Sequence, residues 1–317
     1  MKRIVMSLLI IGLTGAPAHA RFDWSLVTDG SAAVKDCMKS RLGDEVWQGF
    51  LDRGRPKSKP QGRTMIQVYQ ACQSGAAPSG GAKKRFGRLT LEEQQAVGLI
   101  DTGLRPRFPA GVTCPGVSSP FGSRTRFDGS NRTTRSNNGY HGGMDITLDI
   151  GTPLLAAAAG TVIHVGTGGR LVGNVIWMQH APEDTGFSFW LYTKYQHLDE
   201  LPSLNVGDRF DAGDVVAVSG DTGTTGGHFG AFGYPHLHMN AYASASNTFK
   251  TRDHKVRIDG REYLDPLAVY RSGAADSHRM RSLADTDKAT DVGVRLASGE
   301  VVPAGARKIW PVHCRRN

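Results

Sequence analysis

Two strings set the terms on which this 317-residue chain can fold: His141-Gly142-Gly143-Met144-Asp145 and His236-Leu237-His238. Adjacent glycines weaken a helix by about 1 kcal/mol each, so the first string reads as a turn that swings His141 and Asp145 together. In the second, residues two apart on a strand point to the same side, so His236 and His238 face one cavity. Imidazole and carboxylate are nitrogen and oxygen ligands of Zn²⁺, and a catalytic zinc takes three protein ligands and keeps one position open. A fold that unites the strings must therefore bring a turn and a strand, about ninety residues apart, onto one face. Read separately, H-x-x-x-D is common by chance and H-x-H is more often two ordinary strand residues.

The texture around the strings is that of an antiparallel β domain. From Cys114 onward, short β-rich runs alternate with glycine turns: Gly160 to Val165, Asn174 to Met178, Phe189 to Tyr195 and Asp214 to Val218. Before them, residues 23 to 72 carry apolar side chains at three- and four-residue steps, among them Val34, Cys37, Met38, Leu42 and Phe50, which predicts helices. Gly54 to Pro60 is a basic, breaker-rich loop between the helical sets, and Ser74 to Ala82 a flexible connection. Thr90-Leu91-Glu92-Glu93 is a capping box that opens a short helix through Ile100. Residues 272 to 291 read as a polar loop, and Val292 to Trp310 as a final hairpin about Ser298-Gly299.

The first twenty residues have the form of an export signal. Lys2 and Arg3 are followed by the apolar run Ile4 to Leu13 and the small-residue site Ala18-His19-Ala20. That run falls short of the roughly 20 residues of a spanning helix, so a membrane anchor is the weaker reading and no transmembrane segment is expected. The mature protein is expected to begin near Arg21, exported to the periplasm or secreted. The formal charge is +9, or +7 once Lys2 and Arg3 are removed. Without a nucleic-acid-binding motif, and with export, that charge suits anionic wall polymers or membrane surfaces better than nucleic acid, unless it only keeps the chain in solution.

The four cysteines, Cys37, Cys72, Cys114 and Cys314, allow three pairings. Cys37–Cys72 would staple a helical hairpin, and Cys114–Cys314 would clamp the C-terminal tail to the entrance of the β domain. We favour that pairing; loops of these lengths imply roughly 3–5 kcal/mol each in the chain-entropy model. No C-x-x-C string suggests a cysteine zinc site.

Taken in order, His141 to Ile146, Gly151-Thr152-Pro153, Ala156 to Val162, Gly173-Asn174-Val175, His180, Tyr195-Gln196-His197-Leu198, Val206-Gly207-Asp208, Gly220 to Gly223 and Pro235 to His238 resemble the lysostaphin/LytM-type zinc peptidases, which cut peptide cross-links in bacterial cell walls. The resemblance covers Ser119 to Tyr270. It implies a mainly β fold, a small antiparallel two-sheet domain with a groove across one face. The corresponding division is 1–20 signal peptide, 21–110 helical region of unassigned role, 111–271 zinc peptidase domain and 272–317 C-terminal loop and hairpin extension.

The resemblance also implies a site: one Zn²⁺ held by His141, Asp145 and His238. His236 shares the strand face of His238 and reads as the general base, and His197 as its partner in orienting water or stabilising an oxyanion, with the proton acceptor open between them. The implied function is an exported zinc endopeptidase acting on peptidoglycan peptide stems or cross-bridges, either D-Ala–diaminopimelate cross-links or glycine bridges. A catalytically weak LytM-type regulator of amidases and a secreted protease acting on Gly-rich proteins are the alternatives. His180 reads as structural. An Asn of the Arg124 to Asn138 loop is a ligand in latent relatives, but the spacing here does not carry that role over. Gly220 to Gly227 lacks the Lys of a phosphate loop. The insertion Gly226 to Tyr234, with Phe229, Phe232 and Tyr234, is expected to wall the groove.

Overall fold

In the computed structural model, the described residues are 23–58, 61, 65–66, 68–69, 72, 89–134, 137–169, 171–224, 233–252, 255–272 and 276–317. The signal-like segment 1–20 and most of the insertion ahead of His236 lie outside them. The chain is mostly β.

Nine strands build the part of the fold that matters for the site. They are β1 (Met144–Thr147), β2 (Pro153–Leu155), β3 (Gly160–Thr167), β4 (Asn174–His180), β5 (Trp190–Leu198), β6 (Arg209–Phe210), β7 (Val215–Val218), β8 (His236–Ser244) and β9 (Glu262–Leu264). A seven-stranded sheet runs β9-β8-β5-β4-β3-β6, with β1 also paired to β8. Strand β8 is its axis. It pairs with β5 along its length, and on its other edge with β1 at His236 to Met239 and with β9 at Ala241 to Ala243, all antiparallel. The second sheet is a two-stranded ladder of β2 and β7.

Period-two alternation decides what each face does. Leu237, Met239, Ala241 and Ala243 of β8, Met144 and Ile146 of β1, and Leu191 and Tyr195 of β5 join Leu154 and Val216 of the small ladder in the main core. The alternate residues, Asp145, His236, His238 and Asn240, therefore lie on the opposite face.

The N-terminal helices α1 (Ala32–Leu42) and α2 (Asp44–Arg53) form around their own cluster of Val27, Met38, Trp47 and Phe50. Cys37 is bonded to Cys72 and Cys114 to Cys314, the pairing favoured from the sequence. Arg41, buried at the end of α1, reaches Asp276 at 2.6 Å and Glu262 of β9 at 3.8 Å, which ties the helical region to the main sheet.

Three local expectations change. The capped helix α3 (Leu91–Ala96) stops before Ile100, because the chain turns at Gly98 with φ +86°, pressed against the Tyr263 carbonyl where any Cβ would collide. Residues 272 to 291 are not loop throughout: Asp276 caps a short helix, α4 (Ser277–Arg281), whose Met280 is buried, and Ala289–Asp291 pairs in parallel with Arg105–Arg107. The final hairpin is confined to Val294–Arg295 and Val301–Val302.

His180, read as structural, is fully buried at the end of β4. Its Nδ1–H donates to the Ala159 carbonyl at 2.8 Å and its Nε2 accepts from the Thr193 hydroxyl at 2.8 Å. Burial pushes its pKa from 6.5 down to about 4. The unfolded chain then takes up a proton below pH 6.5 that the folded one refuses until about pH 4. Stability supplied by neutral His180 is complete above pH 6.5 and lost as the pH falls, by about 3 kcal/mol in all. Urea unfolding of metal-free protein should show the His180→Asn variant weaker at neutral pH yet less acid-sensitive than wild type. Parallel pH profiles for the two would contradict this.

Candidate metal centre

Strand register accounts for the first pair of site residues. Asp145 of β1 and His238 of β8 are direct cross-strand partners, so their side chains rise side by side on the open face. His141 lies four residues ahead of Asp145, beyond the end of β1, and the segment Ser118 to Ser123 holds it in place. His141 N–H donates to the Ser123 carbonyl, Asp145 N–H to the Ser119 carbonyl and Ser118 N–H to the Asp145 carbonyl, at 2.8–2.9 Å. The paired glycines have a steric reason as well. A Cβ on Gly143 would stand 2.8 Å from His238 Nε2 and collide with the Met239 carbonyl.

The result is three ligand atoms in mutual contact. His141 Nε2 and His238 Nδ1 are 3.0 Å apart, His141 Nε2 and Asp145 Oδ1 3.1 Å, and His238 Nδ1 and Asp145 Oδ1 2.8 Å. His141 Nδ1–H donates to the Pro120 carbonyl at 2.9 Å, which fixes the tautomer and leaves Nε2 as a lone pair. One proton on His238 Nδ1 can satisfy only one of its two neighbours. The triangle is thus electron-rich and under-protonated, and a cation answers it. Bonds of about 2.0–2.1 Å from a tetrahedral Zn²⁺ would separate its ligand atoms by about 3.3 Å, close to the spacing found.

The charge states agree. Burial raises the Asp145 carboxyl, but any proton taken up by His141 or His236 is attracted to it, and its contacts with His141 and His238 add to this, so the group is held well below the usual range. Burial likewise keeps His238 neutral, with its pKa well below the usual value in spite of Asp145. An ionised carboxylate and a neutral imidazole are the forms that ligate.

His236 and His197 flank this triangle with the same backbone lock as His141. His236 Nδ1–H donates to the Tyr234 carbonyl at 2.9 Å, and His197 Nδ1–H to the Thr222 carbonyl at 2.8 Å. Each Nε2 is left as an acceptor. The His236 Nε2 lies 3.7 Å from Asp145 Oδ1, and the His197 ring centre is 4.7 Å from that of His236 and 5.9 Å from that of His238. Burial pushes His197 down to about 4, helped by His236, and lowers His236 as well. Both are neutral bases at physiological pH.

His197 reaches this face by breaking the strand's alternation. Gln196 pairs with His238 and shares its side, while Tyr195 points into the core, so a regular His197 would follow Tyr195. Its φ is +62°, the left-handed region, and this turns the imidazole back toward His236.

The five sequence-derived residues thus meet in one place. Three further groups join them. Arg132 Nη2 donates to Asp145 Oδ2 at 3.2 Å and to Ser119 Oγ at 2.7 Å, so the carboxylate keeps Oδ1 for the triangle. Tyr234 stacks on His236, ring centres 4.2 Å apart, with its hydroxyl 3.5 Å from Asp145 Oδ2. The carbonyls of Pro120, Tyr234 and Thr222 set the tautomers. Tyr234 carried a signal in the sequence by lying two residues ahead of His236, and Arg132 and Thr222 lay in segments the resemblance marked, but without these roles. Of the insertion expected to wall the groove, Phe229 and Phe232 fall outside the described residues. His197, His236 and His238 make a second group with ligand atoms within 4.8 Å, looser than the first and without a carboxylate.

Residues 139–250 match the family model described as peptidase family M23. Over 128 residues the chain is 30% identical to "Uncharacterized lipoprotein YgeR" of Escherichia coli (strain K12), covering 40% of this chain and 41% of that protein. Over 117 residues it is 29% identical to "Glycyl-glycine endopeptidase ALE-1" of Staphylococcus capitis, covering 37% and 28%. It spans less than half the length of either relative. Among solved structures, the catalytic domain of lysostaphin from Staphylococcus simulans is 27% identical, with 41% of this chain and 79% of that chain covered and a TM-score of 0.30. The segment that holds His141, Asp145, His197, His236 and His238 is therefore a domain of peptidase family M23.

Proposed function

We propose that this protein is an exported zinc endopeptidase that hydrolyses peptide cross-links of bacterial peptidoglycan. The observation that carries the reading is the convergence of His141 Nε2, Asp145 Oδ1 and His238 Nδ1 within 3.1 Å of one another. Zn²⁺ held there would supply Lewis-acid polarisation of a peptide carbonyl and lower the pKa of water. The chain's own residues do the rest. His236 and His197 each present an unprotonated Nε2 beside the triangle, one to take the proton from the attacking water and the other to orient it or steady the developing oxyanion. Their locked Nδ1–H groups keep both acceptors aimed while the proton moves. Arg132 and Tyr234 hold the outer oxygen of Asp145.

The substrate assignment rests on the M23 domain and on relatives such as the glycyl-glycine endopeptidase ALE-1. Export rests on the signal-like first twenty residues, and among the described residues no helix is long and apolar enough to cross a membrane. We assign catalysis to residues 111–271 and leave the helical region 21–110 without a role.

Residues 21–317 incubated with intact sacculi should release peptide fragments that mass spectrometry identifies by the bond cut, and a chelator should stop the release. Intact sacculi after incubation with zinc-loaded protein would overturn the reading.

Asp145→Ala removes the one anionic ligand and should abolish stoichiometric zinc. His236→Ala and His197→Ala should retain zinc while turnover falls about 10²–10⁴-fold. Elemental analysis beside a sacculus-release assay separates the two classes, and full activity in His236→Ala would remove that residue from the mechanism.

Arg132→Ala frees the second oxygen of Asp145 and should weaken zinc affinity about 10–100-fold in a competition titration with a chelator. An unchanged zinc affinity would show that the Arg132 contact does not orient the carboxylate.

A further inference from the structure

The sheet face that carries the histidines continues away from them along β5. Gln196 pairs with His238 and Lys194 with Asn240, so Lys194 lies one two-residue step further along the same face. Its amine stands over the Trp177 ring of β4, 5.1 Å from the centroid, and Trp177 is stacked on Tyr242 at 5.7 Å. Arg261 covers the other aromatic, 5.0 Å from the Tyr242 centroid. Two cations thus share one aromatic floor.

No carboxylate answers Lys194: among the described residues its amine has an aromatic ring as its partner and forms no ion pair. Burial, reinforced by Arg261, pushes the amine down to about 7. From Leu191 to Leu198 every residue is buried except Lys194, which is partly exposed. A partly desolvated cation without a counter-charge is costly to keep, and an anion arriving from outside relieves that cost. A cation–π contact orients the ammonium without neutralising it. The step from Gln196 to Lys194 is about 7 Å, the reach of one or two residues of an extended peptide.

We infer that Lys194, seated on Trp177 beside Arg261, is a carboxylate-binding subsite on the histidine-bearing sheet face, which selects cross-linked peptides with a free carboxylate one or two residues from the cut bond over uncharged glycine bridges. The substrate named here rests on the proposed peptidase activity; the anion site itself does not.

Two probes test it: a cross-linked stem-peptide dimer with its diaminopimelate carboxylates free, and the same dimer amidated. Calorimetry on zinc-loaded His236→Ala protein reads binding, and wild-type kinetics read turnover. The free-acid dimer should bind about 10–100-fold more tightly than the amide, as a charge-assisted contact provides, and the difference should lie in KM rather than kcat. Adding Lys194→Met should lower the acid dimer's affinity to that of the amide, whereas Lys194→Arg, which keeps the charge, should retain most of the preference and so guards against a folding defect. Equal affinity for acid and amide dimers, or an acid preference that survives Lys194→Met, overturns the subsite. A Lys194-dependent acid preference in a protein that cuts no bond would uphold the subsite and overturn the peptidase reading. Digestion of sacculi without any acid preference would do the reverse.

Discussion

Everything at this site depends on how the histidine protons are distributed. Three of the four imidazoles, His141, His197 and His236, give their Nδ1–H to a backbone carbonyl within 2.9 Å, so each presents a bare Nε2 to the same cavity. His238 sits among them with Nδ1 against Asp145. Buried lone pairs crowded this closely repel one another, and protonating one imidazole inside the fold is opposed by its desolvation. A cation filling the site would relieve that repulsion, so metal affinity and folding of the β8 face are expected to be coupled.

The backbone carries part of that cost. His197 lies at the end of β5 with φ +62°, which turns its ring to the open face instead of the core. Left-handed backbone at a non-glycine residue costs on the order of 1–3 kcal/mol and persists only when its surroundings hold it. Here the Gly220 to Gly223 turn does so: the Thr222 carbonyl accepts from His197 Nδ1 and the Thr222 hydroxyl donates to the Leu198 carbonyl. The glycine-rich string that lacked a phosphate-loop Lys thus has a structural use, as the clamp on a strained histidine.

Much of the fold and of the candidate site was legible in the sequence, and the rest was hidden for identifiable reasons. The period of two in His236-Leu237-His238 put both imidazoles on one face because β8 is a regular strand with Leu237 and Met239 in the core. The glycine pair after His141 read as a turn, and the structure adds that Gly143 also allows the close approach of His238. Cys37–Cys72 followed from two helical faces. By contrast, the flip of His197 violates the alternation that sequence reading relies on. The reach of Arg132 to Asp145 spans thirteen positions of sequence with no periodicity to follow. The polar run 272 to 291 concealed a helix because its cap, Asp276, and its one buried apolar residue, Met280, are too few to set a pattern. Lys194 looked like an ordinary strand lysine, and only the pairing of β4 with β5 reveals Trp177 beneath it.

His197, His236 and His238 form an alternative grouping to His141, Asp145 and His238, so the nitrogens that would meet a bound metal differ between the two. Cadmium-113 loaded into protein labelled with ¹⁵N-histidine distinguishes them through metal–nitrogen couplings. We expect couplings to Nε2 of His141 and Nδ1 of His238 and none to His197 or His236. Couplings to His197 and His236, with His141 silent, would place the ion in the other triad and contradict the account.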